Sequence, residues 1–170
     1  THAKLVTLKA VQCSKLINVE LNCPNLKKIE LSDCKELKQT QINSTSLEIM
    51  TIVDCPNVAP INLDNISTVH PNLHILRVNG SSATGFIALK LPNLQTLQLG
   101  STELKRLDCS DCKQLSGLNI NECKQLSSLN VSETALIKLH LSLPKLQSLN
   151  CNECKQLSEL NINECKSLDT

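Results

Sequence analysis

The amino-acid sequence predicts a mainly β solenoid, in which short parallel strands wind into about seven to eight coils with little or no helix. An apolar pattern returns every 21 residues, and each repeat divides into two halves. Within a half, the apolar residues alternate as they do in a strand. The aromatic content is only 1%, with one Phe and no Tyr or Trp, which indicates a narrow and regular interior built of Leu, Ile, Val and Cys.

The period is set by leucines that begin each repeat. All but one of the steps between them are 21 residues, and the step from Leu47 to Leu73 contains five additional residues. The repeats begin at Leu5, Leu26, Leu47, Leu73, Leu94, Leu115, Leu136 and Leu157, and the second halves at Leu16, Leu37, Val58, Thr84, Leu104, Leu126, Leu146 and Leu168. We therefore expect one strand per half and two parallel β-sheets, one on each side of the coil.

The spacing inside each half favours strand over helix. Apolar residues stand three and five positions after the first leucine, as in Ile29 and Leu31 or Leu118 and Ile120. A helix would place them at intervals of three, four and seven.

Two kinds of corner follow the strands. Halves of 11 residues usually carry a cysteine at the ninth position, and we expect its thiol to face inward. Halves of 10 residues carry Pro, whose ring fixes φ, or Thr, whose hydroxyl can bond the backbone. The corner residues are Cys13, Cys34, Cys55, Cys112, Cys123, Cys154 and Cys165 in the long halves, and Pro24, Thr45, Pro92, Thr102, Thr134 and Pro144 in the short ones.

These halves resemble leucine-rich repeats. The segment from Leu104 through Leu107, Cys109 and Cys112 to Leu115 fits the pattern LxxLxLxx(N/C)xL. The chain is most similar to the short, irregular bacterial type, whose 21-residue repeat is made of two strand-like halves. The resemblance implies a flattened leucine-rich-repeat solenoid with strands on both long sides, and a rod of roughly 35 Å.

We expect a single domain over residues 1–170, which is a fragment of a longer protein or a complete chain with frayed ends. An irregular coil at 58–85 contains the five additional residues and a glycine-containing loop at 79–85. Loops in repeat arrays often carry function, and a tolerated surface insertion is an equally good explanation.

Ten cysteines allow three interpretations: disulfides, a metal site or free buried thiols. Nine of them occupy two fixed repeat positions, which packing alone explains, so free thiols and a reducing cytosol are favoured. The two C-x-x-C motifs, Cys109 to Cys112 and Cys151 to Cys154, lie two coils and about 10 Å apart, too far for one zinc ion.

The sequence predicts no enzyme, no cofactor and no metal site. The histidines are scattered, and no phosphate-binding loop or nucleophile motif is present. A net charge of +1 and one aromatic residue argue against nucleic acid, and no apolar run approaches the length of a membrane span.

The candidate site is a column of outward-facing residues, at the fifth position of each first half. A rigid solenoid displays such residues at fixed spacing, which suits protein recognition; an inert, solvated face is the alternative. The predicted protein-binding residues are Lys9, Glu30, Arg77, Gln98, Asn119, His140 and Asn161.

The resemblance implies a non-catalytic protein–protein interaction scaffold, the repeat domain of a bacterial effector that acts inside a host cell. Two alternatives remain: a secreted or surface-attached bacterial adhesin, and the targeting arm of an enzyme whose catalytic domain lies outside this chain. The expected partner is another protein. Uncovered strand edges at the end coils also predict capping by the parent protein or end-to-end self-association.

Overall fold

The computed structural model describes residues 4–59, 63, 66–79 and 84–168. It is a mainly β solenoid of about seven turns with a spacing of about 21 residues, which confirms the predicted fold class. Of the predicted irregular coil, residues 60–62, 64–65 and 80–83 lie outside the described residues, as do 1–3 and 169–170 at the ends of the chain.

Most coils contribute one short strand to each side of the rod; in the coil that begins at Leu47, the described residues of the second half form a short helix and no strand. In chain order the elements are β1 (Thr7–Val11), β2 (Asn18–Asn22), β3 (Lys28–Ser32), β4 (Gln39–Asn43), β5 (Ile49–Val53), α1 (Ile66–Val69), β6 (Ile75–Val78), β7 (Thr84–Ala88), β8 (Thr96–Leu99), β9 (Glu103–Asp108), β10 (Gly117–Asn119), β11 (Ser128–Asn130), β12 (Lys138–His140), β13 (Ser148–Asn150) and β14 (Glu159–Asn161).

All strand pairs are parallel, and each side is divided into two hydrogen-bonded sheets. On the first side, β1-β3-β5-β6-β8-β10 form a six-stranded sheet and β12-β14 form a separate pair. On the second side, β2-β4 are separated from the four-stranded sheet β7-β9-β11-β13, because the irregular coil lies between them. The first side continues past that coil through the pairing of β5 with β6.

The core is a stack of aliphatic layers. The leucines that begin the inner coils have no exposed surface, whereas Leu5 and Leu157 in the first and last coils are half-buried. Burying a leucine side chain contributes about 1.5–3 kcal/mol. The fully buried set comprises Leu26, Leu47, Leu73, Leu94, Leu115 and Leu136.

The long corners bury a thiol that bonds to the coil before it. Cys34 Sγ donates to the Ala10 carbonyl at 3.7 Å, and Cys123 Sγ donates to the Leu99 carbonyl at 3.5 Å. The same bond is made by Cys55, Cys112, Cys154 and Cys165. The exception is the exposed Cys13, which bonds within its own corner.

The short corners use a buried hydroxyl or a proline. Thr134 is buried and its Oγ1 donates to the Val131 carbonyl at 2.8 Å, as predicted. At the other two threonine corners, Thr45 and Thr102 are exposed, and the preceding Ser44 and Ser101 are the buried residues that bond to backbone. At these two corners, serine rather than threonine makes the hydrogen bond to the backbone.

A hydrogen bond from His70 joins the irregular coil to Ser44 in the preceding coil. The Nδ1 atom of His70 lies 2.7 Å from the Ser44 carbonyl and therefore carries the proton of that hydrogen bond. Ser44 Oγ in turn donates to the Leu26 carbonyl at 2.7 Å. Burial lowers the pKa of His70, and the bond to Ser44 opposes that effect only in part.

Candidate protein-binding face

The predicted column forms a continuous row on the six-stranded sheet. Pairwise strand register places Lys9 beside Glu30, Glu30 beside Thr51, and so on to Asn119. Neighbours in such a row are about 4.8 Å apart. The row reads Lys9, Glu30, Thr51, Arg77, Gln98 and Asn119, whereas His140 and Asn161 face each other on the separate β12-β14 pair.

The first end of the row is occupied by an internal ion pair. Lys9 Nζ lies 3.0 Å from Glu30 Oε1, and Lys28 Nζ approaches the other carboxylate oxygen of Glu30 at 3.9 Å. A partner would have to compete with these contacts, although exposed pairs contribute only about 0–1 kcal/mol.

The far end of the column is also paired internally. Glu159 accepts from Lys138 Nζ and contacts His140 Nε2, each at 2.7 Å. The hydrogen bond from Lys138, followed by that from His140, lowers the pKa of Glu159, and the same carboxylate raises the pKa of Lys138.

The two asparagines of the column have a structural role that the sequence did not reveal. Asn119 Oδ1 accepts the backbone N–H of Asn121 at 3.5 Å, and Asn161 Oδ1 accepts that of Asn163 at 3.2 Å. Their oxygens therefore help to close the turn that follows the strand. Both residues remain exposed, and binding by them stays a prediction.

Arg77 is the distinctive member of the row. It makes no ion pair with any residue in the described part of the chain. The adjoining outward row places Ile49 beside Ile75, and both isoleucines are half-buried. Sequence reasoning missed this pair because it followed only the fifth position; the third position of each half also faces outward.

Two of the buried thiols, Cys109 and Cys123, have a raised pKa, whereas the hydrogen bond with Cys109 lowers the pKa of Cys112. Contact with the Cys112 thiol, followed by burial, raises the pKa of Cys109, and burial raises the pKa of Cys123 to about 11. A raised pKa leaves little thiolate at neutral pH. Over the described residues, no three His, Cys, Asp or Glu side chains are arranged to hold a metal ion, and all ten cysteines are free.

One shallow groove of about 500 Å³ lies at a corner beside the six-stranded sheet. Asp54 and Glu122 stand on its lining, and the buried Oδ1 atom of Asn79 has no hydrogen-bond partner among the described residues. Asn79 packs so closely on Gly100 that a Cβ at that glycine would lie 3.2 Å from Oδ1. The lining includes no histidine or cysteine.

Comparison with protein families, with curated proteins and with solved structures gave no match for this chain. The helix α1 spans only four residues, and no helix in the described ranges is long and apolar enough to cross a membrane.

Proposed function

We propose that this chain is a non-catalytic protein–protein interaction scaffold that binds its partner on the outer face of the six-stranded sheet, with Arg77 at the centre. The observation that carries the proposal is the position of this unpaired cation in a regular row, between Thr51 and Gln98 and beside Ile49 and Ile75. Binding energy at interfaces concentrates in a few residues near the middle of the contact, among which Arg is enriched.

The finer proposal is a leucine-rich-repeat domain of the short bacterial type, acting as an effector in the reducing cytosol of a host cell. It is supported by the 21-residue double-strand repeat and by the buried positions of most cysteines. The alternatives are a bacterial adhesin of the same repeat type and the targeting arm of a larger enzyme. Thiol titration under denaturing, non-reducing conditions separates the effector from the adhesin, and a count below ten free thiols would favour the adhesin.

The binding proposal is tested by comparing partner capture by the native chain and by Arg77→Glu. We expect the variant to lose at least about tenfold in affinity, because charge reversal replaces an attractive contact with a repulsive one. Lys38→Glu is the matched control, since Lys38 is exposed on the opposite side and makes no ion pair with a described residue.

The captured protein is then identified and its affinity measured with purified components. Equal binding by the native chain and Arg77→Glu would contradict the proposal, as would a larger loss from Lys38→Glu. An Ile75→Asn variant extends the test to the apolar row and should weaken binding by a similar factor.

A further inference from the structure

The second side of the rod contains a β-bulge that alters its outer face. Gly85 pairs with Leu104 and Phe86 pairs with Arg106, so Lys105 is an additional residue in β9. Gly85 has a φ of 76°, which glycine adopts at little cost. Because of the bulge, Lys105 and Arg106 are both exposed, although consecutive strand residues normally face opposite sides.

The bulge also places the single aromatic residue of the chain beside an arginine. Phe86 is 48% exposed, and the guanidinium carbon of Arg106 lies 5.2 Å from the centre of its ring. This is a cation–π contact. The next residues along the row are the small Ser128 and Ser148, which leave the surface beside Arg106 open.

The two cations at the bulge have no acidic partner of their own. Within the described ranges, neither Lys105 nor Arg106 makes an ion pair. Asp108, on the same strand, accepts hydrogen bonds from the Ser110 N–H and from Asn130 Nδ2 instead. The ring and the two positive charges therefore form an open surface.

We propose that Phe86, Lys105 and Arg106 form a docking surface, the bulge patch, for an acidic protein segment with an apolar side chain beside its carboxylates. An arginine beside a ring can still offer its planar fork for two parallel bonds to a carboxylate. The exposed ring supplies apolar contact area. Nucleic acid fits less well, since it needs a longer basic track and several stacking rings.

The bulge patch lies on the four-stranded sheet, opposite the row that contains Arg77. It goes beyond the function proposed above and does not depend on that row. The proposals for the Arg77 row and for the bulge patch can therefore be tested separately.

The test is a titration of the isotope-labelled chain, followed by backbone amide NMR, with a peptide of four glutamates around a central leucine. We expect shift changes concentrated at residues 85–88 and 104–107. Raising the salt concentration from about 50 to about 300 mM should weaken binding severalfold, because exposed charges are then screened.

Three variants define the contribution of each group. Arg106→Gln should weaken binding about tenfold or more, and Phe86→Ser should weaken it severalfold. Arg106→Lys should fall between native and Arg106→Gln, since lysine keeps the charge and loses the planar fork. Lys38→Gln is the control and should bind the peptide as the native chain does, because Lys38 is exposed and lies outside both proposed surfaces. The amide spectrum of each variant verifies its fold.

The proposal is overturned if the peptide leaves residues 85–88 and 104–107 unperturbed, or if a peptide with glutamine in place of glutamate binds equally well. It is also overturned if a short single-stranded DNA perturbs the patch and the acidic peptide does not. Loss of partner capture by Arg77→Glu together with an inert bulge patch would leave the proposed function standing and remove this inference.

Discussion

At the scale of single residues, cysteine acts as a structural residue with a hydrogen bond. Cys55 and Cys123 fill corners of the core, and each thiol donates to a carbonyl one coil away. Cys13 occupies the equivalent position in the first coil and is exposed. The same repeat position is therefore buried at Cys55 and Cys123 and exposed at Cys13.

We predict that native-state alkylation modifies Cys13 well before Cys123. Burial blocks access to Cys123 and raises its pKa to about 11, so the reactive thiolate is scarce at pH 8. Iodoacetamide labelling followed by peptide mass analysis measures both rates. Labelling of Cys123 as fast as that of Cys13 would show that the corner opens far more readily than its burial implies.

The sequence predicted the inward position of the corner cysteines because seven of the ten cysteines share one repeat offset. It could not predict the role of Asn119, since an outward asparagine serves a binding face and a turn equally well. The bulge at Lys105 had no specific signal, since two halves of ten residues follow each other both between Thr84 and Leu104 and between Leu126 and Leu146. No sequence feature predicted the break in strand pairing between β10 and β12.

At the scale of the elements, four of the five three-residue strands end in an asparagine that helps to close the following turn. Strands β1 to β5 have five residues, whereas β10, β11, β13 and β14 have three and end in asparagine. In each of these four, the side-chain oxygen accepts the N–H two residues on. That bond competes with continued strand pairing and starts the turn.

We predict that Asn130→Ala destabilises the chain by about 1–3 kcal/mol, because it leaves a polar N–H without its partner. Asn130 Oδ1 accepts the N–H of buried Ser132 at 3.1 Å, and Asn130 Nδ2 donates to Asp108 at 3.0 Å. Asn22→Ala, at the exposed end of β2, should change stability by less than about 0.5 kcal/mol. Urea unfolding compares the two, and equal effects would refute a special role for Asn130.

At the scale of the whole molecule, the irregular coil is held by a buried histidine whose protonation the fold disfavours. The pKa of His70 is lowered in the folded chain, mainly by burial. As pH falls below the unfolded value of about 6.5, the unfolded chain takes up the proton first. The His70 contribution to stability is therefore complete above that pH and is lost as pH falls toward the lowered folded value.

We predict that His70→Gln loses less stability than the native chain between pH 7 and pH 5. The glutamine amide can still donate to the Ser44 carbonyl, and it does not titrate in this range. Unfolding midpoints at several pH values provide the measurement. An unchanged slope in His70→Gln would contradict the assignment of this pH dependence to His70.

The interruption of the second side has a mechanical consequence. Backbone pairing between β5 and β6 joins the coils before and after the irregular segment on one side, while β4 and β7 belong to separate sheets on the other. Among the described strands, backbone pairing crosses the irregular coil on one side of the rod, and the rod should bend most readily about that side. Such bending changes the distance between β4 and β7 and preserves the spacing of Thr51, Arg77 and Gln98, so a partner held on that row would experience a surface of constant length.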